Sequence, residues 1–397
     1  MTNKQRLLAV LNGEKPDRVP FIPRIKLWYK FHNRNDSLPD RYQGCSIRDI
    51  EDDIKVGTPA REGKIFDVRF SGNVKIQKKK KGSMVVTQYI TPVGKLTKKE
   101  KSSLEEYSLE PVEYLIESGK DYSIMKYLIE HLSFVPTYKE YLSYEKQIGE
   151  SGLPLVLVGL WPPNEESVGV HCPIHDILRR FLGYESGYLH LMSKHTQKVQ
   201  NLLEIYSQKA KEMQRVVLNS PAKFILHGAH FDRQMTPPHI FKKFFLPYFR
   251  DFSKKLHFKG MKLACHLDSE TKELYQLIEE AGFDVADCFT TVPLVQYTNL
   301  AEAREKWEDS MIIWGGVPST ILEPGYDHRS FLRHMYNLFK TIVPGDNFIL
   351  GIADNLMPSS EFDRVIEISK MVEALGSFPI NEEAVECYFV SNHDIHN

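Results

Sequence analysis

Short apolar runs alternate with longer amphipathic runs through the C-terminal half of the chain. Each amphipathic run is long enough to carry the chain back over a sheet between parallel strands. The 397 residues also exceed the roughly 250 that one barrel of this kind needs. These three observations predict an α/β fold, a (β/α)8 TIM barrel with an N-terminal β-rich insertion. Residues 1–397 read as a single domain, with the insertion at about residues 30–150.

The elements follow in order. "RVPFIPRI" (18–25) and "LPLVLVGLWPP" (153–163) read as buried strands. Between them "VKIQKKKKGSMVVTQYITPVGKL" reads as a hairpin whose turn is residues 78–81 with Gly82, the basic tetrad being a solvated turn. "LMSKHTQKVQNLLEIYSQKAKEMQRVVL" is a long helix that leads into the strand "KFILHGAHF" (223–231). "PPHIFKKFFLPYFRDFSKKLHFKG" starts with proline and ends with glycine, as helices do. The strand "MKLACHL" (261–267) precedes a helix that carries Leu274, Leu277, Ile278 and Ala281 on one face and stops at Gly282. "FDVADCF", "SMIIWGGV" and "NFILGIAD" are further strands, each followed by a helical run.

Composition bounds the function. With 42% hydrophobic residues, 26% charged residues and a net charge of −1, the chain is an ordinary globular sequence. The charge balance argues against a nucleic-acid partner. No apolar run reaches the ~18 residues of a membrane span, and the start lacks a signal-peptide pattern. Five scattered cysteines without a CxxC pair fit a reduced, cytoplasmic compartment.

Barrel enzymes build their sites from the C-terminal ends of the strands, so the polar residues closing each strand are the candidates. They are His230 and Asp232, His266 and Asp268, Asp287 and Cys288, Asp354 and Asn355, with Arg24, Tyr29 and Trp161 from the early strands. His266 and Asp287 end neighbouring strands, which brings them within ligand reach of one divalent ion, and Asp268 or Asp354 would complete the set. Other readings stand beside this one. Asp268 or Ser269 would serve as the N-cap of the next helix, and Asp354 would make an Asx-turn. His227 reads as a core histidine. Cys288 follows Asp287, and strand neighbours face opposite ways, so one of the two is assigned to packing; Cys265 beside His266 is assigned likewise. Without a metal, Asp287 and His266 would form a general acid/base pair. Tyr29, Trp28 and Trp161 would stack on a flat donor or pack the rim.

Three stretches resemble the uroporphyrinogen decarboxylase superfamily: "RLLAVLNGEKPDRVPF", "PPHIFKKFFLPYFRDFSKKLHFKGMKLACHLDSETKELYQLIEEAGFDVADCF" and "FILGIADNLMPSSEFDRVIEISKMV". The similarity covers nearly the whole chain and is weakest at about residues 60–110. The resemblance implies the barrel and one of two chemistries. True decarboxylases carry an "RQAGR"-type segment after the first strand; the corresponding "PRIKLWYKFHN" keeps Arg24 but lacks the motif. The cobalamin-dependent methyltransferases that act on thiols have His-x-Cys and a later cysteine. Here the first motif reads His266-Leu267-Asp268, and Ala353 stands near the second position. The combination resembles the branch that demethylates methyl ethers.

That resemblance implies a corrinoid-protein-dependent methyltransferase taking a methyl group from a small methylated donor, such as an aromatic methyl ether in O-demethylation. Its cofactors would be zinc and a cobalamin carried by a separate corrinoid protein, since the chain has no D-x-H-x-x-G corrinoid motif. His266, Asp287, Asp268 and Asp354 would be the metal residues, and His266, Asp287 and His230 the catalytic ones. Arg24, Tyr29 and Trp161 would bind substrate. Relatives of this kind are often homodimers. The alternatives are a decarboxylase acting on another carboxylate, with a cationic pocket around Arg24, and a non-catalytic relative, which the loss of both thiolates favours.

Overall fold

The computed structural model describes residues 1–102, 109–162 and 169–393. It therefore leaves out Pro163, the last residue of the predicted strand 153–163. No helix among the described residues is long and apolar enough to cross a membrane. The chain divides into two compact units: Met1–Glu62, Ser143–Leu155 and Ala229–Asn397 form the first, and Gly63–Leu142 with Val156–Gly228 the second.

The first unit contains four parallel strands in chain order, β1 (Lys262–His266), β2 (Val285–Phe289), β3 (Ile312–Pro318) and β4 (Phe348–Ala353). Their side chains are almost entirely buried, which is why they read as continuous apolar runs rather than alternating ones. Beyond β4 the predicted first strand takes its place through the parallel bridge between Phe21 and Leu350. Ile22 N–H donates to the Leu350 carbonyl at 2.8 Å, and Leu350 N–H to the Pro20 carbonyl at 2.9 Å. A segment that periodicity did not reveal comes next. Gly57 N–H donates to the Phe21 carbonyl at 2.9 Å, Thr58 bridges Gly152, and Leu155 N–H donates to the Ala60 carbonyl at 3.0 Å. On the other flank His230 N–H donates to the His266 carbonyl at 3.2 Å. Strand neighbours thus follow one another in chain order, with helices between, as in a TIM barrel.

The crossover helices sit where the sequence places them. Asn299 accepts from the N–H groups of Ala301 and Glu302 at the start of Leu300–Trp307, and Asp327 accepts from Ser330 N–H at the start of His328–Ile342. The helix predicted after residue 236 is one continuous run, but Phe241–Phe245 is wound as a π-turn. Pro247 lies two residues beyond, and a wider turn removes the clash of its ring with the preceding carbonyls.

The second unit holds an antiparallel sheet of Lys75–Lys81, Met84–Thr91, Gly94–Ser102 and Leu109–Glu113, in that order. Lys78, Lys79, Lys80 and Lys81 belong to a strand and not to the turn. Gly82 at φ +59° and Ser83 make the reversal in two residues, so the lysines remain paired with the next strand. Trp161 is buried in this unit. Its ring meets Phe70, Tyr89 and Phe181, and its Nε1–H donates to the Tyr89 hydroxyl at 3.2 Å. The indole is part of a core and does not present a face to a substrate.

His227 is fully buried and its Nδ1–H donates to the Val158 carbonyl at 2.8 Å, as a core histidine should. Burial pushes its pKa down to about 4, against the smaller opposing pull of the carbonyl and of Asp176. In the unfolded chain the imidazole takes a proton near pH 6.5. The neutral folded form therefore contributes stability that is present above that pH and is lost as pH falls to about 4. We expect stability, measured by urea unfolding at successive pH values, to drop by about 3 kcal/mol across this window from this one group. That part of the slope should be missing in His227→Asn.

Candidate metal centre

The site is assembled at the C-terminal ends of the first unit's strands. Parallel register sets His266 of β1 directly beside Asp287 of β2. His266 Nδ1 lies 2.9 Å from Asp287 Oδ2, so this nitrogen donates and the other, Nε2, is turned outward. Nε2 lies 3.5 Å from Asp268 Oδ2 and 3.9 Å from Asp354 Oδ1. Asp354 is the most open of the group, its side chain 45% exposed, whereas Asp287 is fully buried. His230 reaches across from the preceding strand end. Its Nδ1 lies 3.0 and 3.1 Å from the two oxygens of Asp268, and its ring is edge-on to His266.

Two arginines complete the cluster. Arg24 Nη1 lies 3.1 Å from Asp354 Oδ1 and 3.0 Å from Cys288 Sγ. Arg61 pairs through Nη2 with Asp287 Oδ1, approaches Cys288 Sγ at 3.7 Å and lies over the Trp314 ring. Both Asp287 oxygens are therefore taken, one by His266 and the other by Arg61. Arg61 was missed because it ends the short segment beside Phe21, and "VGTPAR" shows no strand periodicity. The available signal was an arginine closing a segment flanked by glycine and proline between two predicted strands.

The electrostatics follow from burial and charge together. Burial alone would raise the Asp287 pKa, but Arg61 and then His266 overcome it and hold the pKa at about 2. Burial opposes a charge on His266, yet Cys288, Asp268 and Asp287 together raise its pKa well above the usual histidine range. Asp268 is held well below the carboxylate range by His266 and His230, against its own desolvation.

Each predicted residue can now be placed. His266, Asp287, Asp268, Asp354, His230 and Arg24 come together. Asp268 goes to two histidines and does not cap the following helix, which starts beyond Thr271. Tyr29 does not join the cluster: its hydroxyl donates to the Cys45 carbonyl at 3.0 Å. Trp28 is buried and stacked on Phe362. The expectation that only one of Asp287 and Cys288 reaches the site is overturned. The β2–β3 register shifts between Asp287 and Phe289, and Cys288 adopts φ +53°. This bulge breaks the alternation, so both Asp287 and Cys288 reach the site. Cys265, where alternation holds, is fully buried and packs, and burial pushes its thiol pKa far up. Like Cys288, His230 at φ +54° and Asp354 at φ +64° hold left-handed backbone.

Among the described residues two trios place their ligand atoms within 4.8 Å of one another: His266 with Asp268 and Asp354, and His266 with Asp287 and Cys288. Bonds of about 2.1 Å in a tetrahedral site separate ligand atoms by roughly 3.4 Å. The 3.5 and 3.9 Å gaps around Nε2 suit that spacing. The 2.9 Å contact at Nδ1 is a hydrogen bond instead. The donor set thus fits a divalent ion on His266 Nε2, Asp268 and Asp354, with Asp287 orienting the imidazole from behind.

Residues 184–375 match the family model of uroporphyrinogen decarboxylase (URO-D), a stretch that includes His266, Asp268, Asp287 and Asp354. A solved methyltransferase from Methanosarcina mazei is similar in fold, with a TM-score of 0.54 and 11% identity, over 94% of this chain and 98% of that one. No curated protein matches the chain. The URO-D match and this likeness agree with the TIM-barrel order of the strands.

Removing Arg61 would take from the fully buried Asp287 the largest of its counter-charges. Arg61→Met is expected to lower stability by about 3–5 kcal/mol, read by urea unfolding. Asp287→Asn added to that variant should recover part of the loss, because no buried charge is then left unpaired.

Proposed function

We propose that this protein is a methyltransferase that moves a methyl group from a small methylated donor, an aromatic methyl ether, to a cobalamin carried by a separate corrinoid protein. The observation that supports this is the outward Nε2 of His266, faced by Asp268 and Asp354 at ligand spacing while Nδ1 is fixed by Asp287. Zinc held there would supply a Lewis acid for the ether oxygen as it becomes a phenolate. Breaking an aryl–O–CH3 bond leaves the electron pair on that oxygen, and this is the charge the site must accommodate.

The chain's own residues have separate tasks. Asp287 holds the Nδ1 proton, so Nε2 is the nitrogen that would give up its proton to a cation. His230 steadies the Asp268 carboxylate. Arg24 does the same for Asp354 at the open side of the site. The decarboxylase alternative needs an open cationic pocket. Both arginines here are already engaged by carboxylates and by Cys288, which disfavours it.

The test is metal content of the purified protein together with methyl transfer from methoxylated aromatics to reduced cobalamin. About one zinc per chain is expected, lost in His266→Ala and in Asp268→Ala, with no transfer in either. Asp287→Asn should keep the ligands but weaken metal binding by about 10–100-fold. Wild-type protein that binds no metal and releases carbon dioxide from a carboxylated substrate would overturn the proposal in favour of the lyase. Protein inert in both assays would mark a non-catalytic relative.

A further inference from the structure

The antiparallel sheet of the second unit has two unlike faces. On the strand Met84–Thr91, Val85, Thr87, Tyr89 and Thr91 are buried, and Tyr89 joins the aromatic core with Phe70 and Trp161. Met84, Val86, Gln88 and Ile90 point the other way and are half-buried. Residues directly opposite one another in an antiparallel pair share a face, so the register defines what surrounds this row. Lys81 and Lys101 flank Met84, Lys79 and Lys99 flank Val86, and Lys75 and Lys95 flank Ile90. Met84, Val86, Gln88 and Ile90 therefore run down the middle of the outer face, with three lysines on either side and Gln77 and Thr97 beside Gln88.

Lys75, Lys79, Lys81, Lys95 and Lys101 make no ion pair among the described residues, while Lys99 pairs with Glu113 at 2.6 Å. The strand Lys75–Lys81 is an edge, where lysines protect against strand-to-strand association. That purpose does not account for the second row. Lys99 and Lys101 lie where Gly94–Ser102 has a partner strand on each side, opposite Glu113 and Glu110, and Lys95 is paired on one side. Six lysines thus share one face of a chain whose net charge is −1.

We infer that the outer face of this sheet is a docking surface for a protein partner whose matching surface is acidic with an apolar centre. An apolar middle with a charged rim is the anatomy of a protein–protein interface, and the lysine rows would speed and orient the encounter. Nucleic acid is a poorer fit, because the face has neither an aromatic ring for base stacking nor an arginine for bidentate phosphate contact. A membrane surface would call for bulky apolar side chains to insert, and three half-buried aliphatic ones do not supply them. The patch is three strands wide and seven residues long, roughly 10 by 20 Å between backbones, the centre of a transient contact whose rim would extend beyond it.

The experiment uses the full chain and a fluorescent peptide of alternating glutamate and leucine as the acidic, partly apolar probe. A thymidine oligonucleotide and phosphatidylserine vesicles serve as competing probes. Binding of the peptide is expected, weakening at least about tenfold between 50 and 500 mM NaCl. It should weaken at least about tenfold again in Lys79→Glu/Lys95→Glu/Lys101→Glu at low salt. The milder Lys79→Gln/Lys95→Gln/Lys101→Gln, which keeps the register without charge reversal, should fall between that variant and the wild type. Lys146→Glu/Lys223→Glu/Lys259→Glu makes the same change of net charge at exposed lysines elsewhere and should bind as the wild type does. Absence of peptide binding, equal loss in both glutamate variants, or tighter binding of the oligonucleotide or the vesicles overturns the inference.

Discussion

A fully buried carboxylate, Asp287, is the fixed point of the site. Desolvation alone would favour a proton on it, and a protonated Asp287 would no longer hold its neighbours in place. Arg61 on one oxygen and His266 on the other keep it charged. The arrangement has three consequences. It anchors Arg61 against Trp314, it holds the Nδ1 proton of His266 in place, and it aims the other nitrogen at Asp268 and Asp354. A single charge that water cannot reach thus orders side chains from four separate stretches of chain.

The scaffold makes that possible by bringing strand ends together in a known register. His266 and Asp287 are neighbours because β1 and β2 run parallel with those residues opposite. The loops beyond are secured by another carboxylate: Glu270 accepts from Tyr297 N–H at 2.8 Å and from the Thr298 hydroxyl at 3.2 Å. Arg233 N–H donates back to the Glu270 carbonyl at 3.1 Å. The turn that carries Asp268 is therefore tied to the loops on both sides of it, which limits how far its carboxylate can drift from His266.

Much of this was legible in the sequence, for identifiable reasons. Buried parallel strands have continuous apolar runs and the helices between them have clear caps and stops, so β1 to β4 and their crossovers could be drawn directly. The strand-end rule then brought His230, His266, Asp268, Asp287, Asp354 and Arg24 into one group. The failures occurred where a local pattern was broken or lay below the length at which patterns speak. Residues 57–61 are too few and too rich in glycine and proline to show a period, so Arg61 stayed hidden. Asp287 and Cys288 were read as alternatives, one inside and one packing, because alternation was assumed through a bulge. Trp161 was read by its place after a strand, whereas its fate was decided by Phe70, Tyr89 and Phe181, which come from distant parts of the sequence. The lysine tetrad was taken for a turn because charge suggested solvent; two residues of turn sufficed, and solvent exposure came from the sheet edge.

The left-handed backbone at His230, Cys288 and Asp354 bears on how the protein can be changed. A side chain in that conformation costs on the order of 1 kcal/mol or more, and glycine adopts it freely. Glycine at any of the three would relax the fold while deleting a group from the site. Selection for heat resistance and selection for chemistry therefore pull in opposite directions at these positions. A thermostable form of this barrel should gain its stability from the helices and the outer loops, and leave these three corners strained.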